Sequence, residues 1–144
     1  MKTDKFHEKL KDNFYIEDAS GLIEILNSRT LSTLQVDFLV NYIISIGEYQ
    51  FIRMLIDNRF ISLKDEHYCK ILKLAIQTHN GDNYKGFTYS SVFSCIMRVR
   101  DISKLIDLYG SLSAKDQASS FGVYVFQRII LRINRFYSKK KNYE

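Results

Sequence analysis

The sequence predicts an all-α protein of six to eight helices, arranged as an irregular solenoid-like stack or an orthogonal bundle. Three observations predict this fold class. The 144 residues include no proline and six glycines, although average usage would give about seven prolines. Apolar residues recur at intervals of three and four, and no segment sustains the two-residue alternation of a strand. Because proline in a helix interior costs about 3 kcal/mol, its absence favours helices joined by short turns.

Six segments of the sequence carry this helical spacing. Their apolar positions are, in chain order, Leu34, Phe38, Tyr42 and Ile46, widened by Val36, Leu39 and Ile43; Phe51, Leu55 and Ile56; Tyr68, Ile71, Leu72, Ala75 and Ile76; Val92, Phe93, Ile96, Met97 and Val99; Leu105, Ile106 and Leu108; and Phe121, Val125, Ile129, Ile133 and Phe136. Gly47, Gly81 and Gly110 follow three of the segments, and glycine commonly ends a helix. The segments therefore predict short helices with tight connections.

Three stretches of the sequence share one pattern. They begin at Asp18, Glu48 and Asp101, and an acid suits the positive end of a helix dipole. Each continues with an apolar residue and Ile within five positions and an apolar pair seven and eight positions on. A serine follows each stretch, with Gln or Asp three positions later, as in a capping box: Ser32 and Gln35, Ser62 and Asp65, Ser113 and Asp116. Chance recurrence of helix caps is the alternative to a true repeat.

The intervals between these stretches are 30 and 53 residues. A 30-residue unit is typical of helix-pair solenoids, whose repeats bury their apolar faces by stacking. The passage Ser45-Ile46-Gly47-Glu48-Tyr49 resembles the inter-helix step of ankyrin-type repeats, although the Thr-Pro-Leu-His start of those repeats is missing. The resemblance implies a helical platform that binds other proteins. The longer interval requires an additional helix near residues 88–99.

Composition and length favour one compact domain, residues 1–144, with residues 138–144 as a basic tail that frays. The 46% hydrophobic content excludes a disordered chain. No apolar run approaches the ~20 residues that span a bilayer, and the polar start of the chain differs from a secretory signal. Cys69 and Cys95 are too few for a disulfide framework. We therefore expect a cytoplasmic protein with no membrane partner.

Charge is divided unevenly along the chain. Residues 1–66 carry 8 basic and 11 acidic side chains, and residues 67–144 carry 13 and 5, so net charges of −3 and +8 make up the total of +5. Such asymmetry suggests a charged partner. In size and character the chain resembles inhibitors that neutralise toxins or effectors, bacterial immunity proteins among them. The first hypothesis is a non-enzymatic inhibitor that binds another protein, such as a basic toxin or nuclease. The candidate contacts on this acidic face are Glu17, Asp18, Glu24, Asp37, Glu48 and Asp57.

Basic side chains near the end of the sequence define an alternative face. Arg128, Arg132 and Arg135 stand at i, i+4 and i+7, which is one edge of a helix, and Lys139 begins a run of three lysines. Arginine pairs well with phosphate and carboxylate, and Phe136 could stack on a base. The second hypothesis is therefore a nucleic-acid-binding regulatory protein. The same arginines also fit the solvated side of a helix whose other side is buried.

Motifs of catalysis are not found in the sequence. The glycines form neither a Walker loop nor a dinucleotide fingerprint, and there is no Gly-x-Ser-x-Gly or His-Glu-x-x-His. The densest group of reactive side chains lies at residues 65–69. His67 and Cys69 would lie about 200° apart around a helix, so they cannot hold one zinc ion by themselves. We expect no enzymatic activity, no metal and no cofactor. An enzyme is the third hypothesis, and it requires Cys69, Cys95 and the histidines to converge in one cleft.

Overall fold

The computed structural model describes residues 31–46, 49–57, 61–79 and 87–142, with the backbone alone for Ile46, Gln50, His79 and residues 136–142. Every regular element in these ranges is an α-helix, and seven helices are present there. The prediction of an all-α fold with six to eight helices is therefore confirmed. Contacts divide the chain into two compact units, Met1–Leu63 and Lys64–Glu144. The assignment of residues 1–144 to one domain stays a prediction.

The described part of the first unit contains two helices in contact, α1 (Thr33–Ile46) and α2 (Tyr49–Asp57). The predicted capping box at the start of α1 is confirmed. The Ser32 backbone N–H donates to Gln35 Oε1 at 2.9 Å, and the Gln35 backbone N–H donates to Ser32 Oγ at 3.2 Å. These reciprocal bonds satisfy two donors that the first turn would otherwise leave unpaired.

The buried side of α1 differs from the four-residue stripe expected from the sequence. Leu34 is 77% exposed and Phe38 is half-buried, while Leu39 and Ile43 are fully buried. The reason is geometric, because a step of four residues turns about 40° too far in a helix of 3.6 residues per turn. After three such steps the side chain has rotated about 120° away from the starting face. A stripe that stays on one face therefore alternates steps of three and four residues. Its members are Val36, Leu39, Val40 and Ile43.

The second unit contains five described helices: α3 (Asp65–His79), α4 (Tyr89–Arg98), α5 (Ile102–Ser111), α6 (Ala114–Gln117) and α7 (Ser120–Asn142). Helix α7 packs against the other four, and α3 also packs against α4 and α5. Phe121, Val125 and Ile129 give α7 a buried stripe at four-residue intervals. Helix α7 continues into the segment predicted as a tail, and fraying of residues 138–144 stays a prediction. No helix in the described ranges is long and apolar enough to cross a membrane.

Helix starts in the second unit use several capping side chains. Asp101 accepts from the Ser103 backbone N–H at the start of α5, as its acidic position predicts. Ser113 caps α6 by accepting from the Asp116 backbone N–H at 3.2 Å. Thr88 and Ser91 form a full capping box at α4, which the search for Ser-x-x-Gln or Ser-x-x-Asp could not detect because both partners are hydroxyl residues.

The start of α3 corrects one predicted cap. The sequence placed it at Ser62, but the helix begins at Asp65. The Lys64 backbone N–H donates to Nδ1 of His67 at 3.0 Å, so a buried imidazole pairs the N–H of the residue just before the helix. Nδ1 is therefore the acceptor nitrogen of this imidazole. The carboxylate of Asp65 is left for contacts with another part of the unit.

Gly110 does not end its helix as the sequence predicted, and Gly122 has a packing role. Gly110 lies inside α5, which continues to Ser111, so it does not end the helix. Gly122 lies where α7 meets the short helix α6. A Cβ at this position would collide with the carbonyl oxygen of Asp116 and lie 2.8 Å from that of Gln117. The absence of a side chain at Gly122 therefore allows the two helices to approach closely.

Candidate partner-binding face on helices α4 and α7

A row of large apolar side chains lies exposed along α4. Tyr89, Phe93 and Met97 are 48%, 37% and 44% exposed, and their four-residue spacing places them on one side of this ten-residue helix. The opposite side enters the core through Val92 and Ile96. The sequence-based face had grouped Phe93 and Met97 with the buried residues, and the structure assigns both to the exposed row instead. Cys95, which the periodicity did not include, is buried in their place.

Helix α7 contributes Arg128 and an aromatic support to this row. The guanidinium carbon of Arg128 lies 4.8 Å from the ring centroid of Phe93 and 5.1 Å from that of Tyr124. Both distances are within the range of cation–π attraction. In the described ranges no carboxylate pairs with Arg128. We define the α4–α7 face as Tyr89, Phe93, Met97, Tyr124 and Arg128.

Ring contacts anchor this face in the core. The ring of Tyr89 meets that of Phe121 edge-on, with centroids 5.0 Å apart and planes at 90°. It meets the ring of Tyr124 at 4.9 Å and 69°. Phe121 is 1% exposed, so the exposed tyrosine rests on a fixed support. Such edge-to-face pairs add about 0.5–1.5 kcal/mol beyond area burial and restrict ring motion.

The predicted basic residues of α7 divide into separate environments. Nη1 of Arg132 donates to the backbone oxygens of Ile96 at 3.0 Å and Val99 at 2.8 Å. These carbonyls belong to the end of α4, where helical partners are lacking. Arg135 is exposed, and the side chain of Lys139 lies outside the description. The spacing correctly placed the arginines on one helix but could not show that Arg132 binds main-chain oxygens.

A second group of exposed apolar side chains lies where α5 packs on α7. The ring of Phe126 lies 5.2 Å from that of Tyr109, at an angle of 38°. Ile106, Val123 and Ile130 are also exposed. The sequence assigned Ile106 to the buried face of its helix, whereas Leu105 and Leu108 are the buried residues. In the described part of the chain no cation lies over a ring of this group, so it is a less specific candidate.

The acidic face is mostly outside the described residues. Glu17, Asp18, Glu24 and Glu48 belong to that undescribed part. Asp37 is half-buried on α1, and Asp57 is exposed at the end of α2. The Asp57 carboxylate lies 3.4 Å from Nε of Arg53, one turn earlier. The role of these six acids in partner binding stays a prediction.

The reactive group at residues 65–69 makes contacts within the fold. The carboxylate of Asp65 accepts from the backbone N–H of Arg100 at 2.9 Å and of Asp101 at 3.0 Å. The bond from Arg100 is the main reason why the pKa of Asp65 lies below its ordinary value. Glu66 pairs with Lys104, and this hydrogen bond lowers the pKa of the Glu66 carboxyl. These side chains join the start of α3 to α5 and to the turn before it.

The same two helices border an open groove of about 380 Å³. Its lining includes Cys69, Lys70, Lys73, Lys104, Asp107 and Leu108. Burial raises the pKa of the Cys69 thiol to about 11 and that of Cys95 to about 12. Both thiols therefore stay protonated at neutral pH, which does not favour nucleophilic chemistry.

Histidine, cysteine and acidic side chains are the residues that a metal or catalytic site would use. No group of three or more His, Cys, Asp or Glu side chains in these ranges could hold a metal ion. His67 is buried at the start of α3, and Cys95 is 1% exposed on α4. Among the described residues, the α4–α7 face combines exposed apolar side chains, ring contacts and a positive charge. No known family model, curated protein or solved structure matches the chain.

Proposed function

We propose that the chain is a non-enzymatic protein-binding module and that the α4–α7 face is its interface. The observation that carries this proposal is the exposed row Tyr89, Phe93 and Met97 beside the ring-supported Arg128. Exposed apolar patches of this kind mark sites of interaction. Aromatic residues, Met and Arg are enriched in the buried centres of protein interfaces, and Tyr and Arg are frequent hot spots.

The ring contacts of the face support the proposal because they reduce the cost of ordering side chains on binding. Full burial of a Phe or Met side chain contributes about 1.5–3 kcal/mol, and Phe93 and Met97 have part of that area left to bury. Binding also costs about 0.5–1.5 kcal/mol for each flexible side chain that becomes ordered. Because Tyr89 packs on the buried ring of Phe121 and Arg128 lies over the rings of Phe93 and Tyr124, part of this ordering precedes binding.

The specific form of the proposal is an inhibitor that neutralises a toxin or effector by direct binding. Its support is the polarised charge: residues 1–63 carry 7 basic and 9 acidic side chains, and residues 64–144 carry 14 and 7. Net charges of opposite sign on the two units, −2 and +7, help to steer encounter and select partners. The α4–α7 face lies in the second unit, whereas all six acids of the predicted acidic face belong to the first. Binding through the acidic face to a basic toxin is the competing version of the same function.

The test begins with capture of the partner from the native host and its identification by mass spectrometry. The affinity of the purified partner is then measured for Phe93→Ser combined with Met97→Ser. We expect at least a tenfold loss, since two central apolar contacts are removed. Leu34→Ser is the matched control, because Leu34 is a highly exposed apolar residue on α1. Equal affinities of the double variant and the wild type would reject the α4–α7 interface.

Nucleic-acid binding is the second candidate, and the exposed Arg135 near Arg128 and the aromatic row favours it. The bonds of Arg132 to main-chain oxygens weaken it, since they occupy the middle arginine of the predicted stripe. Binding of duplex and single-stranded oligonucleotides over a salt series separates the two functions. Micromolar binding that declines steeply with salt and is lost in Arg128→Ala with Arg135→Ala would favour this alternative. No binding at low salt would exclude it.

A further inference from the structure

The arginine of the α4–α7 face lies at the middle of the apolar row. Phe93 is four residues from both Tyr89 and Met97, which corresponds to about 6 Å of helix on either side. Arg128 reaches across from α7 to place its guanidinium over this central ring. The exposed row therefore has one cation at its centre with apolar surface on both sides. A partner that covers the row must bring a group that suits this cation.

The position of the guanidinium determines which donors are left for a ligand. A guanidinium carries five N–H donors, and all of them lie in its own plane. The rings of Phe93 and Tyr124 contact the group by cation–π attraction. Within the described ranges no N–H of Arg128 donates a hydrogen bond to another residue, so these donors are available to a ligand. A planar fork of two N–H groups matches the two oxygens of a carboxylate. The half-buried setting of Arg128 also strengthens such a pair relative to one in open water.

We propose that the partner is a protein segment that places an Asp or Glu carboxylate on Arg128, with apolar side chains about 6 Å to either side. This inference rests on the proposed function and specifies its partner chemistry. The carboxylate pairs with the guanidinium, and the flanking apolar side chains pack on Tyr89 and Met97. Charge complementarity supports the choice, because residues 64–144 carry 14 basic and 7 acidic side chains.

A phosphate group could also pair with the guanidinium, but the surroundings favour a protein segment. A single-stranded nucleic acid could stack a base on Tyr89, but its phosphodiester backbone carries a charge at every step, which does not suit the apolar surface around Arg128. Burial of a charged group against apolar surface is costly unless it is paired. An acidic side chain between apolar ones places one negative charge at Arg128 and apolar surface on Tyr89 and Met97. Nucleic acid is therefore an outcome that the test must be able to detect.

The experiment uses a random 12-residue peptide library displayed on phage, selected on the immobilised full chain. The strongest peptide is then synthesised in two forms, with its acid intact and with that acid changed to the amide. Affinities of both forms are measured for the wild type, Arg128→Gln and Arg128→Lys. Arg135→Gln is the matched control, since it removes an exposed arginine of the same helix. Urea unfolding of each variant verifies that the chain is folded.

We expect the selected peptides to share one acid flanked by apolar residues. Changing that acid to the amide should weaken binding of the peptide to the wild type at least tenfold. The same change should weaken its binding to Arg128→Gln much less, because the partner of the acid is already absent. Arg128→Lys should recover little, because an ammonium lacks the planar fork. Arg135→Gln should bind as the wild type does. Peptides without a shared acid, additive effects of the two changes or an empty selection would each overturn the inference. Binding in the oligonucleotide salt series described above, without binding of any selected peptide, would also overturn it.

The failure of this inference can be distinguished from failure of the proposed function. Suppose that the captured partner loses affinity for Phe93→Ser with Met97→Ser but binds Arg128→Gln normally. The α4–α7 interface is then supported, and the pairing of a carboxylate with Arg128 is rejected. If the double variant binds the partner normally, the interface itself is rejected.

Discussion

Replacement of Arg132 by glutamine should destabilise the second unit through the end of helix α4. The guanidinium donates from Nη1 to the backbone oxygens of Ile96 and Val99, at 3.0 and 2.8 Å. Ile96 is fully buried and Val99 is 1% exposed, so their carbonyls have little access to other donors. Glutamine is shorter and uncharged, and it cannot reach both oxygens in the same way.

The size of the effect follows from these two bonds. A hydrogen bond to a charged group contributes about 1.5–3 kcal/mol, and a buried acceptor left unpaired costs about 1–3 kcal/mol. Arg132 is half-buried, so water can replace part of what is lost. We therefore expect the free energy of unfolding to fall by about 2–3 kcal/mol in Arg132→Gln. The stability of Arg132→Lys should lie between those of the wild type and Arg132→Gln, because a lysine keeps the charge but lacks the planar fork of donors.

The assay is urea unfolding followed by far-ultraviolet circular dichroism, with midpoints compared at equal slope. Arg135→Gln is the control, because this residue is an exposed arginine one turn further along α7. It should stay within about 0.5 kcal/mol of the wild type, as is usual for surface substitutions. Equal stabilities of Arg132→Gln and Arg135→Gln would refute the role of Arg132 as a cap of α4.

Two further predictions concern residues that join helices. Asp65→Asn should lower the free energy of unfolding by about 1–2 kcal/mol at neutral pH, since an amide presents one acceptor oxygen where the carboxylate presents two. The bond from Arg100 lowers the pKa of Asp65 below 3.8, so this stabilisation is present above pH 3.8 and is lost as the pH falls through the lowered value. Unfolding curves between pH 7 and pH 2 should show the difference between variant and wild type disappearing; a constant difference would contradict this. Gly122→Ala should lower the free energy of unfolding by about 2 kcal/mol or more, because its Cβ collides with the Asp116 carbonyl. A Cβ at Gly110 meets nothing within 4 Å, so Gly110→Ala should raise the free energy of unfolding by about 0.5 kcal/mol. The same unfolding assay checks this pair, and equal effects of the two substitutions would contradict the close approach at Gly122.

Local features of the fold could be predicted from the sequence. The box of Ser32 and Gln35, the cap at Asp101 and the cap at Ser113 all depend on side chains within three residues of the atoms they bind. Such bonds are determined locally, so a pattern search finds them. The same locality explains the all-α prediction, because the penalty on proline acts within a single helix.

Orientation of the helices could not be predicted in the same way. Phe93 and Met97 carry the same apolar character as the buried Ile96, and only packing against α3 and α7 determines which side of α4 is covered. Hydrophobicity does not distinguish an exposed binding residue from a core residue. The partners of Arg132 lie 33 and 36 residues away in sequence, which is beyond any local pattern.

The candidate site was predicted in part. The spacing of Arg128, Arg132 and Arg135 indicated a basic edge of one helix, and the structure gives each arginine a different environment. The aromatic support of Arg128 has a signal in the sequence, because Tyr124 lies four residues before it and faces the same side. The contribution of Phe93 comes from another helix and required the fold.

The most direct test of the central claim is hydroxyl-radical footprinting of the chain with and without its captured partner. Tyr, Phe and Met side chains are readily oxidised when exposed, so the row on α4 reports its own coverage. We predict that oxidation of Tyr89, Phe93 and Met97 falls several-fold in the complex, while that of Leu34 on α1 is unchanged. Unchanged oxidation of the three α4 residues, together with protection of Leu34, would contradict the assignment of the α4–α7 face as the interface.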